Sequence, residues 1–165
     1  MFTQSLLIFD FNTTSDLSAW SVVDDGVMGG KSKGDFYLNS KGNAVYQGNV
    51  SLENNGGFSS VHYRFDPKKV TNFTKIVIQL RGDVKRYQFR IKTNTFDRHA
   101  YISYFETNGE WQAIEINLST MYPTFRGRKL EMNNYPGEAL EEIAFLIANK
   151  EAEKFKLEID TIYLK

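Results

Sequence analysis

Residues 86–93 read RYQFRIKT, and apolar and polar side chains alternate one by one along this stretch. Tyr87, Phe89 and Ile91 fall on one face of an extended chain, because successive side chains of a strand point to opposite sides. The polar side chains on the other face are Arg86, Gln88, Arg90 and Lys92. This alternation predicts a half-buried antiparallel strand.

Strand patterning recurs along most of the chain, in about ten short segments separated by turn residues. The segments are LLIFDF (6–11), FYLN (36–39), AVYQGNV (44–50), FSSVHYRF (58–65), KIVIQL (75–80), RYQFRIKT (86–93), AYISYF (100–105), EWQAIEINL (110–118), EIAFLIA (142–148) and KFKLEID (154–160). Only SLENN (51–55) and GEALEEI (137–143) are short helical candidates, and Asn108-Gly109 predicts a hairpin between its flanking strands. The pattern predicts an all-β antiparallel sandwich or jelly roll, in a single domain over residues 1–165.

Composition narrows the classes of function. The 165 residues include no cysteine, which excludes disulfides, thiolate metal sites and cysteine nucleophiles. Twenty basic residues balance twenty acidic ones, and this argues against a dedicated nucleic-acid or anionic-membrane binder. The N-terminal stretch MFTQSLLIFDF lacks a basic region, and the run IAFLIA (143–148) is far shorter than the roughly 20 residues of a membrane span. We therefore expect a cytoplasmic protein with no signal peptide, transit peptide or membrane span.

Two glycine-rich stretches, DDGVMGG (24–30) and SLENNGGFSSV (51–61), do not fit a strand. The first is followed by Lys31 and Ser32, as in a phosphate-binding loop, but its glycines are one residue too close and a strand pattern follows in place of a helix. We interpret both stretches as neighbouring structural loops at one end of the sandwich, in which glycine allows close backbone approach and Met28 and Phe58 cover the core or present an apolar contact. The loop residues are Asp24, Asp25, Gly26, Met28, Gly29, Gly30, Asn54, Asn55, Gly56, Gly57 and Phe58.

No metal or cofactor is predicted. Several oxygen-bearing side chains could ligate calcium, namely Asp24, Asp25, Asn54, Asn55 and Asp160, but they lack EF-hand spacing and also favour turns. His62 and His99 have no partner at metal-ligand spacing, so we expect them to be structural. The tripeptide RGD (81–83) matches an integrin-binding motif, but here we interpret it as the end of a strand and the start of a turn.

A catalytic role is the less favoured alternative. A hydrolase would need Asp24, His62, Glu106 and Asp160 to converge in space, which the sequence does not indicate. The prediction is a non-catalytic protein.

Charge is segregated along the chain and predicts a binding surface. Basic side chains concentrate in residues 81–98 and 125–129, and acidic ones in residues 138–160. Such patches fit an acidic partner surface, an anionic ligand or a merely solvated sheet face, while aromatic residues beside Arg and Gln fit a sugar-stacking or protein-binding surface. The candidate binding residues are Arg86, Gln88, Arg90, Lys92, Tyr101, Trp111, Arg126 and Arg128.

Six ordered blocks carry a family resemblance: WSVVDDGVMGGKS (20–32), VSLENNGGFSSV (50–61), LRGDVKRY (80–87), YISYF (101–105), PTFRGR (123–128) and FKLEIDTI (155–162). With these blocks the chain resembles the complex I intermediate-associated protein 30 family, in its stand-alone bacterial form. The resemblance implies a galactose-binding-like jelly roll without catalytic residues. It also implies a protein partner, because the mitochondrial members hold intermediates during assembly of respiratory NADH:ubiquinone oxidoreductase. Carbohydrate binding, common for this fold, is the alternative.

Overall fold

Two β-sheets contain most of the chain. The computed structural model describes residues 4–165, apart from the side chains of Val27 and Met28. Sheet 1 has six strands, numbered in chain order as β1 (Leu6–Asp10), β3 (Lys33–Leu38), β4 (Ala44–Val50), β6 (Lys75–Arg81), β9 (Trp111–Asn117) and β13 (Glu153–Leu164). Sheet 2 has seven, which are β2 (Trp20–Asp24), β5 (Ser59–Lys69), β7 (Arg86–Lys92), β8 (Ala100–Glu106), β10 (Tyr122–Phe125), β11 (Arg128–Lys129) and β12 (Ala139–Ile147).

The strand order confirms the antiparallel sandwich. Sheet 1 runs β3-β4-β13-β6-β9, with β1 also paired to the C-terminal part of β13. Sheet 2 runs β11-β10-β8-β7-β12-β5-β2, so that β12 lies between β7 and β5. Strand pairs in both sheets are antiparallel.

The core lies between the two sheets and is filled by alternate side chains of the strands. Tyr87, Phe89 and Ile91 are each at most 1% exposed, which confirms the faces predicted for β7. Tyr46 from sheet 1 and Phe145 from sheet 2 are also fully buried. Burying one such large apolar side chain contributes about 1.5–3 kcal/mol to folding, so this layer fixes which face of each sheet points outward.

Two local predictions are wrong because pairing with distant strands determines the structure of both segments. Asn108-Gly109 makes a turn but no hairpin, because β8 pairs with β7 and β10 whereas β9 pairs with β6 in the other sheet. The turn therefore carries the chain from one sheet to the other. Most of the helical candidate at residues 137–143 lies in β12, where pairing with β5 and β7 overrides local helix propensity.

In the part of the chain that the structure describes, regular helix is confined to short 3-10 turns. In residues 4–165 these are Asp25–Met28, Glu53–Asn55 and Leu118–Thr120, and the second lies within the candidate SLENN. Over that same range, no helix combines the length and apolar character needed to cross a membrane.

The sequence patterning does not predict three of the strands, which are β2, β10 and β11. β10 contains Pro123, a residue that argues against an interior strand, and β11 has only two residues, too few for any periodicity.

Candidate functional site

An open cleft of about 1030 Å³ lies on the face of sheet 2 that points away from the core. Apart from Ile91, which belongs to the core face of β7, its strand residues point outward and are Val23, Ser60, His62, Gln88, Arg90, Lys92, Ala100, Ile102, Tyr104, Tyr122, Thr124, Lys129, Glu142, Ala144 and Leu146. Connecting segments add Phe58, Arg98, Arg126, Gly127 and Ala148. The cleft therefore spans the sheet from β2 to β11.

Cross-strand register assembles the floor of the cleft from residues far apart in sequence. Ala144 on β12 stands between His62 on β5 and Arg90 on β7. Antiparallel neighbours in register lie close enough for their side chains to interact. The aliphatic positions Ala144, Leu146 and Ile102 thus form an apolar floor with polar side chains beside it.

Glu142 is the acidic residue of the lining, and it is buried and fully engaged. Its Oε1 accepts hydrogen bonds from Arg64 Nε at 2.7 Å and from Thr95 Oγ1 at 2.8 Å, and its Oε2 lies 3.3 Å from His62 Nδ1. Burial alone would raise the pKa of Glu142, but these donors outweigh burial and lower its pKa to about 2. The carboxylate is therefore ionised at neutral pH, and its oxygens are occupied by contacts with Arg64, Thr95 and His62.

Ser60 and His62 extend this network along β5. Ser60 Oγ lies 2.9 Å from His62 Nε2 and donates to the backbone carbonyl of Val23 at 2.6 Å. Ser60 is only 1% exposed. The hydroxyl is buried and donates to a carbonyl, so this chain of hydrogen bonds joins Ser60, His62 and Glu142 to the backbone of β2.

Cations dominate the charge of the cleft. Five basic side chains line it, namely Arg90, Lys92, Arg98, Arg126 and Lys129. Within residues 4–165, none of these five forms a salt bridge with a carboxylate. Burial lowers the pKa of Arg90, although the charge of Glu142 opposes that effect. An arginine stays protonated in proteins even so, which leaves a strongly positive cleft in a chain of zero net charge.

The two tyrosines of the cleft are each faced by a cation. The guanidinium carbon of Arg86 lies 4.2 Å from the centre of the Tyr104 ring, and Lys129 Nζ lies 5.2 Å from that of Tyr122. Both distances fall within the range of cation–π attraction. These rings are thus already partnered on one side.

The structure brings together half of the predicted binding residues. Gln88, Arg90, Lys92 and Arg126 line the cleft. Arg86 borders it through its contact with the Tyr104 ring.

Three predicted binding residues lie elsewhere. Tyr101 is buried and packs edge-on against Tyr135 and His99. Trp111 is 45% exposed on the edge strand β9 of sheet 1, with Arg81 over its ring at 5.7 Å. Arg128 is exposed on β11 but is not part of the cleft lining.

Sequence reasoning missed several lining residues, above all Tyr104, Tyr122, Arg98 and Lys129. Strand parity in AYISYF could have found the first of them. Tyr101 and Phe105 share the core face, so Tyr104 must point to the other side.

The two glycine-rich loops are joined by one buried carboxylate. Asp25 is fully buried, and it accepts hydrogen bonds from Ser32 N at 2.9 Å, Gly57 N at 2.7 Å and Phe58 N at 3.3 Å, as well as from the Ser32 hydroxyl. Burial raises the pKa of Asp25, but these donors outweigh it and the net pKa is lowered. We call Asp25 and its four donor groups the loop clamp.

Close packing around the loop clamp explains two of the glycines. A Cβ at Gly30 would overlap the Asp25 carboxyl group, and one at Gly56 would lie 2.5 Å from its Oδ2. Gly26 differs, because a Cβ there would meet no atom within 4 Å among the described residues.

The other loop residues serve the backbone path or the neighbouring strands. Asn54 and Asn55 adopt left-handed φ values of 56° and 62°, and Gly29 ends the first short helix with φ 86°. Asp24 accepts from Gly34 N at 2.9 Å and from the Ser59 hydroxyl at 2.6 Å. Phe58 contributes to the cleft lining, whereas the Met28 side chain lies outside the described residues.

The four acid–base candidates for hydrolysis have separate surroundings. Asp24 belongs to the loop contacts just described, and His62 to the cleft floor. Glu106 stands opposite Arg86 on β7, while Asp160 on β13 of sheet 1 accepts from Asn43 Nδ2 at 3.0 Å. Among residues 4–165, moreover, no group of three or more His, Asp or Glu side chains is arranged to hold a metal ion.

The RGD tripeptide is tied into the fold. Arg81 pairs with the buried Glu158 at 2.8 Å. Asp83 accepts from the Tyr87 hydroxyl at 2.7 Å and from Lys156 N at 2.8 Å. Both charged groups of the motif are therefore engaged internally.

A jelly-roll sandwich with an open cleft across one sheet defines the galactose-binding-like class of domains. Solved structures agree: the family 11 carbohydrate-binding module of the cellulosomal cellulase Lic26A-Cel5E of Clostridium thermocellum superposes with a TM-score of 0.71 at 16% identity, over 99% of this chain and 95% of that one. A second structure of the Clostridium thermocellum family 11 module, in complex with a beta-1,3-1,4-mixed-linked tetrasaccharide, superposes with a TM-score of 0.69 at 16% identity, over 97% and 94% of the two chains. These likenesses confirm the predicted fold class.

The chain belongs to the complex I intermediate-associated protein 30 family, whose family model matches residues 9–159. It is 24% identical to the mouse mitochondrial complex I intermediate-associated protein 30 over 183 aligned positions, which cover 96% of this chain and 56% of the mouse protein. The chain thus spans just over half the length of that relative.

Proposed function

We propose that this chain is a non-catalytic binding module, folded as one domain, that holds an extended segment of a protein partner in the sheet 2 cleft during assembly of a larger complex. The observation that carries the proposal is the cleft itself. Its volume of about 1030 Å³ lies at the upper limit of ordinary small-molecule sites, which suits a stretch of polymer.

The build of the cleft supports binding over catalysis. Its floor is aliphatic, its buried acid is held by three side chains, and its one serine–histidine contact is buried. Rigid walls of this kind reduce the entropy lost on binding. Family membership supports a partner of the assembly-intermediate kind.

Site-specific photo-crosslinking tests the proposal. A benzoylphenylalanine placed at Tyr104, which is 41% exposed in the cleft, should yield an adduct with a defined polypeptide in the native host. The same probe at Asn49, exposed on sheet 1, is the matched control and should not. Mass spectrometry of the adduct identifies the partner, and the complex of the two proteins is then reconstituted from purified components.

A cleft-filling variant makes the test decisive. Ala144→Trp places an indole on the cleft floor, and it should abolish both the adduct and the reconstituted complex. Asn49→Trp adds the same ring outside the cleft and should leave both intact. Equal adducts from Tyr104 and Asn49, or a complex insensitive to Ala144→Trp, would refute the cleft as the partner site.

Carbohydrate binding is the second candidate, favoured by the superposition on family 11 carbohydrate-binding modules. Titration with a beta-1,3-1,4-linked tetrasaccharide, followed by NMR, would support it through shifts confined to cleft residues such as Gln88 and Tyr122. Unchanged spectra at millimolar sugar would exclude that ligand.

A further inference from the structure

The five basic side chains of the cleft, in a chain without net charge, are the starting point. Arg90, Lys92, Arg98, Arg126 and Lys129 line one cavity and, in residues 4–165, contact no carboxylate at salt-bridge distance. Charges of one sign in a cleft with apolar walls focus the electrostatic field and raise the local concentration of counter-charged ligands. The cleft is therefore complementary to negative charge.

The acid on the floor attracts Arg90 by its charge, but within residues 4–165 it forms no salt bridge with any of the five cations. Glu142 is 2% exposed and receives its hydrogen bonds from His62, Arg64 and Thr95, none of which belongs to the five. Lys92 donates instead to the backbone carbonyl of Asp97 at 2.8 Å. A carboxylate supplied by a ligand would therefore find donors that the fold leaves without an anion.

The floor between the cations favours a polypeptide over a sugar. Val23, Phe58 and Ala148 are partly exposed apolar residues of the lining and can contact aliphatic side chains, whereas Ala144, Leu146 and Ile102 are at most 9% exposed. Sugars are held largely on flat aromatic rings, and a cation occupies one face of each of the Tyr104 and Tyr122 rings, which leaves a single face of each for stacking.

We infer that the cleft recognises a protein segment in which acidic and aliphatic side chains alternate. Such a segment, in extended form, places its carboxylates towards the cations and its aliphatic side chains on the partly exposed apolar residues of the lining. The inference rests on the proposed function and specifies the chemistry of its partner.

Fluorescence polarisation with defined peptides tests this chemistry on the full chain. The probe is a fluorescein-labelled octapeptide of alternating glutamate and leucine, and the matched probe carries glutamine for glutamate. We expect the acidic peptide to bind at least about tenfold more tightly, with an affinity that falls as salt rises.

Charge reversal locates the site. The double variant Arg98→Glu/Arg126→Glu should lower the affinity for the acidic peptide by about tenfold or more, because two attractive charge interactions become repulsive. Lys154→Glu, on the exposed face of sheet 1, is the matched control and should change the affinity by less than about twofold.

The outcomes separate the inference from the proposed function. If both peptides bind equally and Ala144→Trp blocks both, the acidic specificity is wrong and the protein-binding cleft stands. If neither peptide binds at millimolar concentration, the inference is refuted. If tetragalacturonate binds more tightly than the acidic peptide, the cleft is a site for acidic polysaccharide, and both the inference and the protein-binding proposal fall.

Discussion

Replacing Asp25 gives the sharpest test of how the glycine-rich loops hold the fold together. Oδ1 accepts from Ser32 N, while Oδ2 accepts from the Ser32 hydroxyl, Gly57 N and Phe58 N. Asp25→Asn keeps one oxygen, which can serve the three donors at the Oδ2 position. The new amide then faces Ser32 N, so that buried donor loses its acceptor and the amide adds two N–H donors of its own to the same site.

The expected costs follow from counting these donors. One unsatisfied buried donor costs about 1–3 kcal/mol, so Asp25→Asn should lower the free energy of unfolding by no less than that amount. Asp25→Ala removes the acceptor for all four donors, and we expect about 3–5 kcal/mol, since water entering the vacated space satisfies some of them. A domain is stable by only about 5–15 kcal/mol, so the alanine variant should be close to unfolding at moderate temperature.

Urea unfolding followed by tryptophan fluorescence measures both values. Trp20 is buried and stacks on Tyr63 with ring centres 4.7 Å apart, so its emission reports loss of the sandwich. Asp35→Asn, at an exposed position on β3, is the control and should stay within about 0.5 kcal/mol of the wild type.

The pH dependence has a defined sign. The pKa of Asp25 is lowered in the folded state, so its stabilising contribution is present above the ordinary carboxyl pKa and is lost as the pH falls through the folded value. Asp25→Asn lacks this titration and should lose less stability on acidification. If both Asp25 variants unfold within about 0.5 kcal/mol of the wild type at neutral pH, the loop clamp does not stabilise the fold as argued.

Three further predictions concern the loops, the cleft floor and the surface outside the cleft. Gly56→Ala should cost more than about 2 kcal/mol of unfolding free energy, because its Cβ overlaps the loop clamp, whereas Gly26→Ala should be nearly neutral; equal effects would contradict this. Glu142 has its pKa lowered to about 2, so between pH 6 and pH 2 the wild type should lose about 3 kcal/mol more stability than Glu142→Gln, and parallel pH curves would count against the network. Trp111→Ala removes a side chain from sheet 1 and should leave the affinity for the acidic octapeptide unchanged; a large loss would place the site elsewhere.

The sequence predicts the faces of β7 well because that strand has polar and apolar sides. β12 has none of this contrast: Ala144 and Leu146 lie in the cleft while Ile143 and Phe145 lie in the core, and all four are apolar. Alternation therefore carries no information about which face of β12 points outward.

Pairing between strands that are distant in sequence is the second feature of the fold that local sequence patterns do not predict. Arg90 and Ala144 are neighbours only through the register of β7 with β12, and Asn108-Gly109 specifies a turn without specifying the sheet on either side of it. From β7 and the FRGRK segment the sequence indicates only four of the lining residues, which are Gln88, Arg90, Lys92 and Arg126. The remainder depends on a register that long-range contacts establish.

The loop clamp also limits which substitutions positions 25, 30 and 56 can accept during evolution. Gly30 and Gly56 are small because the Asp25 carboxyl group occupies the space beside both, and Asp25 is tolerated in the interior because both loops direct N–H groups at it. The three positions are therefore mutually dependent, and a homologue with a shorter side chain at position 25 should be free to carry alanine or serine at 30 and 56. Comparing such substitutions among relatives would reveal a three-way covariation that no pairwise strand contact accounts for.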